Sequence, residues 1–140
     1  MIFTRAFFYN FRLFTNPADF IRLLKDRFTL KPPTEPAPLP DDQLTFWTNR
    51  VLIPIRLRVY NVIKTWLETY FSFEQDSSVE QSLVDFASNE MSKAMPGPAK
   101  RMTELITRTV SFLMLKYKKY EINHVLCSLV CIKRIKLRWS

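Results

Sequence analysis

PIRLRVYNVIKTWLETYF, residues 54–71, reads as a helix that sits at the centre of a helical domain. Val59, Val62, Ile63, Trp66, Leu67 and Tyr70 recur at steps of three and four, the spacing that places side chains on one helical face. Leu57, Tyr60 and Phe71 widen that face until polar residues keep only a strip around Arg56, Lys64 and Glu68. A helix apolar over so much of its circumference is expected to be packed on more than one side. Pro54 suits its first turn, where the missing N–H has no helical partner.

Composition agrees with an all-α fold. The 140 residues allow one domain with a modest core, and 47% apolar with 14% aromatic residues argue against general disorder. Gly97 is the single glycine. Hairpin turns and phosphate-cradling loops usually need glycine, so a β-rich fold, a Rossmann crevice and a P-loop are all disfavoured. Prolines gather at 32–40 and 96–98, where they read as connectors between helices.

The net charge of +8 is unevenly spread. Residues 110–140 hold seven Lys/Arg and one Glu, a balance of +6; the first 109 residues hold fourteen Lys/Arg and twelve Asp/Glu, only +2. A folded nucleic-acid reader would carry its positive surface on the body, so the basic tail is judged separately and nucleic acid is not an expected partner. Cys127 and Cys131 lie four apart in an apolar run with no further ligands to complete a zinc set, and read as reduced cysteines. The N-terminus has no secretory-signal pattern and no apolar run approaches a membrane span, which makes the cytoplasm the expected compartment.

Working outward from the central helix, residues 3–14 place Phe7, Phe8, Phe11 and Phe14 at helical steps. Asn16, Pro17 and Asp19 form a start signal of cap, first-turn proline and capping-box carboxylate. The helix that follows sets Phe20, Ile21, Leu24 and Phe28 on one face. Pro33 and Pro36 make a P-x-x-P match within what reads as a plain connector. Asp41 and Asp42 open a further segment with Leu44, Phe46, Trp47, Val51 and Leu52 as its apolar residues. Beyond the polar break at 72–78, where Ser77 and Ser78 have capping-box spacing, Val79, Leu83, Phe86, Ala87 and Met91 mark a buried stripe. Pro98 begins the next helix, with Met102, Leu105, Ile106 and Thr109 inward. The expected architecture is an irregular all-α array of four to six short helices around the helix near 54–71.

No catalytic constellation stands out. His124 is the single histidine and lies in the tail, no serine or cysteine has a nucleophile-elbow setting, and metal-ligand spacing is absent. Neither an enzyme nor a cofactor is expected.

Two long motifs in order carry a resemblance. FFYNFRLFTNPADFIRLLKDRF at 7–28, through Phe8, Phe11, Arg12, Phe14, Thr15, Pro17, Phe20, Leu23, Leu24, Arg27 and Phe28, resembles the entry of the N-terminal domain of Ras-type guanine nucleotide exchange factors, the Ras exchanger motif. RLRVYNVIKTWLETYF at 56–71 resembles the family's central helix through Arg58, Val59, Asn61, Val62, Lys64, Trp66, Glu68, Tyr70 and Phe71. The 97–106 run is similar to the segment that follows in fungal-type members. The resemblance covers roughly residues 7–108 and implies a family core built on Phe11, Phe14, Pro17, Phe20, Leu24, Phe28, Val59, Val62, Trp66, Tyr70 and Phe71.

What the resemblance implies is a helical module without exchange chemistry of its own. It would pack against a catalytic exchange domain, normally in the same chain, and support the helical hairpin that opens the nucleotide site of a Ras-family GTPase. In some members it also helps form a regulatory Ras-binding surface. The family domain usually starts a helix or two earlier and is followed by the catalytic domain, so the chain resembles a fragment, with residues 1–109 as the domain.

From Val110 the family pattern stops and the charge balance shifts. Val-Ser is what an in-frame splice donor encodes, which reads 110–140 as translated intron or a mispredicted gene end. The alternative is a basic amphipathic anchor for membrane or nucleic acid. In that reading Leu126, Leu129, Val130 and Ile132 meet lipid, Lys133, Arg134, Lys136 and Arg138 lie near acidic head groups, and Cys127 or Cys131 is a site for palmitoylation. Such an anchor would hold the protein peripherally at the plasma membrane.

Overall fold

The computed structural model describes residues 2–34 and 38–138, with side chains to Ile122. Among these residues the fold is all-α and has five principal helices. They are α1 (Ile2–Asn10), α2 (Pro17–Phe28), α3 (41–70), α4 (80–94) and α5 (Pro96–Arg138). Short helical turns at Phe11–Leu13, Phe73–Asp76 and Ser77–Val79 join them.

The central helix is longer than its sequence signals. Asp41–Trp47, Thr48–Leu52, Ile53–Thr65 and Trp66–Tyr70 run on without a break, the second and fourth as π turns. Pro54 therefore lies inside a helix rather than in its first turn. Its ring crowds the carbonyl four residues back and it offers no N–H. The helix absorbs it with the wider turn just before, where the Ile53 N–H donates to the carbonyl of Thr48, five residues back. The upstream half of α3 is mostly exposed: Phe46 faces solvent and only Leu52 is buried.

The downstream half forms the core with one broad face. Ile55, Val59, Ile63, Trp66 and Leu67 are buried. Leu57, Arg58 and Asn61 are exposed, so the helix is not packed all round. The π turn at Trp66–Tyr70 brings Phe71 back beneath Trp66, with ring centroids 5.7 Å apart. Tyr70 is rotated toward α1, where it stacks on Phe8 at 4.9 Å.

α2 starts as its sequence predicts. The Asp19 N–H donates to the Asn16 side-chain oxygen at 2.8 Å, and Pro17 fills the first helical position. The reciprocal bond differs from a capping box, because the Asp19 carboxylate accepts from the Asn16 side-chain amide at 2.7 Å instead of its backbone N–H. Phe20, Ile21 and Phe28 are buried against α3, and Leu24 packs at the core edge. Ser77 and Ser78 make no side-chain cap; α4 is entered through a 3₁₀ turn. Its stripe of Val79, Leu83, Phe86, Ala87 and Met91 is fully buried, and the π turn Ala87–Met91 packs closely on α5.

α5 spans 43 residues, about 65 Å at the helical rise. Ala99, Met102, Leu105, Ile106 and Val110 face the core, and Leu113 packs against its edge. The helix continues past residue 110 with no interruption.

Candidate interaction groove

The residues of the two sequence motifs meet in one aromatic cluster. Phe11 and Phe20 approach each other at 5.1 Å, and both set their rings edge-on to Trp66, at 5.8 and 5.3 Å. Phe11, Phe20, Phe28, Val59, Trp66 and Phe71 are buried; Pro17, Leu24, Val62 and Tyr70 are half-buried. Phe14 is not in the core. It is 67% exposed and touches the cluster only at its rim, edge-on to the partly buried Phe7 at 6.1 Å, because α1 ends at Asn10 and the 3₁₀ turn Phe11–Leu13 breaks the helical spacing. The Trp66 indole N–H is buried and has no hydrogen-bond partner among the described residues.

An ion pair between half-buried Arg12 and fully buried Asp76 holds this cluster to the far end of α3. Arg12 Nε donates to Asp76 Oδ1 at 3.0 Å, and Arg12 Nη2 pairs with Asp76 Oδ2 and donates to the Tyr70 carbonyl at 3.0 Å. The Ser72 N–H donates to Asp76 Oδ2 at 2.9 Å. The guanidinium also lies over the Phe11 ring, 4.5 Å from its centroid. Arg12 thus caps the carbonyl of Tyr70 at the C-terminus of α3 while neutralising a carboxylate that has no solvent contact. Sequence reasoning counted Arg12 among the motif residues but assigned Asp76 nothing. The available signal was weak, because Asp76 is one of two acids, with Glu74, in the polar break at 72–78 that follows an apolar helix.

Beside this core a surface groove runs between α3 and α5. Tyr60, Lys64 and Glu68 follow one another at four-residue steps on α3, opposite Arg101, Glu104 and Arg108 on α5, around a hollow of about 290 Å³. The strip of α3 that reads as solvent-facing in sequence is therefore one wall of a groove. Among the described residues no ion pair joins these charged side chains to one another; the pairs present are Arg12–Asp76, Arg22–Asp19 and Arg22–Asp26.

Through Glu68, Leu105 and Arg108 the hollow continues into one of about 390 Å³, with Phe71, Phe112 and Leu113 in its apolar lining. Phe71 and Leu113 lead on to a third, of about 370 Å³, where Phe73 meets Tyr117 at 5.6 Å. The Tyr117 hydroxyl has its pKa raised above 10.0, first by the negative charge of Glu121, then by burial and by Glu74. The groove passes from unpaired charge at one end to apolar and aromatic surface at the other. That arrangement suits a partner surface. Among the described residues no cluster of His, Cys, Asp or Glu could hold a metal ion, and no helix is long and apolar enough to cross a membrane. Pro36 and the side chains of His124, Cys127, Cys131 and the lipid-facing candidates Leu126, Leu129, Val130 and Ile132 lie outside the described residues.

Residues 1–86 match the family described as the RasGEF N-terminal motif. A curated relative, Ras guanine nucleotide exchange factor J of Dictyostelium discoideum, is 33% identical over 78 residues, which cover 56% of this chain. The matched stretch is 9% of that relative's length, so the chain is similar to a small part of a much larger protein.

Proposed function

This chain belongs to the RasGEF N-terminal motif family, and from that premise we propose that it is the non-catalytic helical module of a Ras-family guanine nucleotide exchange factor. Its role is to dock on the catalytic exchange domain, and through it to serve a Ras-family GTPase in small-GTPase signalling. The observation that carries the reading is the α3–α5 groove: apolar surface at Phe71, Phe112 and Leu113 beside unpaired charges at Lys64, Arg101 and Arg108. Such a surface gains stability when a complementary helical face covers it. Residues 1–109 form the domain in this reading, and the docking surface extends onto the appended 110–140 at Phe112 and Leu113.

The test uses the catalytic exchange domain of the Dictyostelium relative supplied in trans. Alone, the chain is expected to leave the rate of nucleotide release from a Ras GTPase unchanged. Added to the exchange domain, it should raise that domain's melting temperature and its exchange rate. Release accelerated by the chain alone would overturn the non-catalytic role. No change in the exchange domain at saturating chain would overturn the docking role.

A further inference from the structure

The last described turns of α5 carry a second surface, which adjoins the groove and shares Phe112 and Lys116 with it. Phe112, Leu115 and Ile122 are 65, 70 and 59% exposed, and their spacing of three and seven residues keeps them on one stripe of the helix. Lys116, Lys118 and Lys119 are exposed around that stripe. Val110 is buried in the core, Leu113 packs on its edge and Tyr117 meets Phe73, so the stripe has a fixed position relative to the body.

We propose that this stripe of α5 lies on an anionic membrane surface, with Leu115 and Ile122 entering the acyl boundary, Phe112 at its edge beside the groove, and the lysines reaching the head groups. Charge complementarity selects this occupant. Residues 110–140 carry seven Lys/Arg against one Glu, and such a segment is drawn to acidic lipid and repelled by a second copy of itself. Lys119 decides between the two. It falls on the stripe between Leu115 and Ile122, at steps of four and three. At a lipid surface its long stem can stay apolar while the ammonium rises to the head groups. In a helical seam between two copies the same ammonium would lie among apolar side chains, with one Glu per copy against seven Lys/Arg over residues 110–140. The stripe lies in the interface plane, as interfacial helices do, and contact begins several turns earlier than the sequence pattern at Leu126–Ile132 suggests.

The full chain is tested by co-sedimentation with phosphatidylcholine vesicles, with and without phosphatidylserine. Binding is expected only with the anionic lipid, and it should weaken as salt rises. Each lysine near an anionic surface changes affinity about fivefold, so replacing Lys116, Lys118 and Lys119 with Gln together should weaken binding about 100-fold. Leu115→Glu, at an exposed position that leaves the core untouched, should abolish it while helicity and melting temperature hold. Equal binding to neutral vesicles, or none to anionic ones, overturns the proposal. So does a concentration-dependent dimer that Leu115→Glu dissociates, which would assign the stripe to a second copy. A native protein whose peptides stop short of Phe112 overturns it equally.

Discussion

Half-buried Arg12 and fully buried Asp76, 64 residues apart, form an ion pair that ties the turn after α1 to the end of the central helix. The carboxylate is fully buried and its oxygens accept from Arg12 and from the Ser72 N–H, while Arg12 also satisfies the Tyr70 carbonyl. Removing Arg12 leaves an uncompensated buried charge. Arg12→Ala is expected to cost about 3 kcal/mol in urea unfolding. Arg12→Lys should also be destabilising, because an ammonium cannot span two carboxylate oxygens and a carbonyl in one plane. A double-mutant cycle that returned no coupling between the two positions would refute the pairing.

Trp66 is fully buried between Phe11, Phe20 and Phe71. Trp66→Ala should therefore cost about 3–5 kcal/mol. Trp66→Phe should cost much less, since the Nε1 donor has no hydrogen-bond partner to lose and a ring still fills most of the volume. Equal losses in the two variants would mean that the indole N–H has a partner after all.

Arg108 is exposed and lines both the charged and the apolar hollow of the groove. Arg108→Glu should change stability by no more than about 0.5 kcal/mol. Its binding to the exchange domain should nonetheless fall, with a slower association rate and a smaller salt dependence. Unaltered binding would move the docking surface away from this groove.

Tyr117 should ionise late. Its raised pKa means that the folded state holds the phenolic proton more tightly than the unfolded chain does. The resulting stability is fully present below pH 10 and is lost as pH rises through the raised value, when a phenolate would face Glu121 and Glu74. In an ultraviolet titration a tyrosinate component above pH 10 should disappear in Tyr117→Phe, and Glu121→Gln should bring it to lower pH. A titration unchanged in both variants would show that Tyr117 does not sense these carboxylates.

Secondary structure and the identity of most core residues were legible because each rests on local periodicity. The spacing of Phe20, Ile21 and Phe28, the Asn16 cap and the stripe from Val79 to Met91 are properties of one helix at a time. Helix continuity was less legible. Pro54 looked like a beginning, and only an i→i+5 bond beside it lets α3 run on from residue 41. Phe14 kept the right spacing for a helix that in fact ends four residues earlier, at Asn10.

The sequence alone determined that this chain is a helical domain with an aromatic core, and its ordered motifs were enough to point to the family. Tertiary structure decided which polar residues matter. Arg12 finds Asp76, and Lys64 and Glu68 face Arg101, Glu104 and Arg108 across a groove. The physical reason is that burial follows from a repeat within one element, whereas a pairing or a groove depends on how two elements distant in sequence are set against each other.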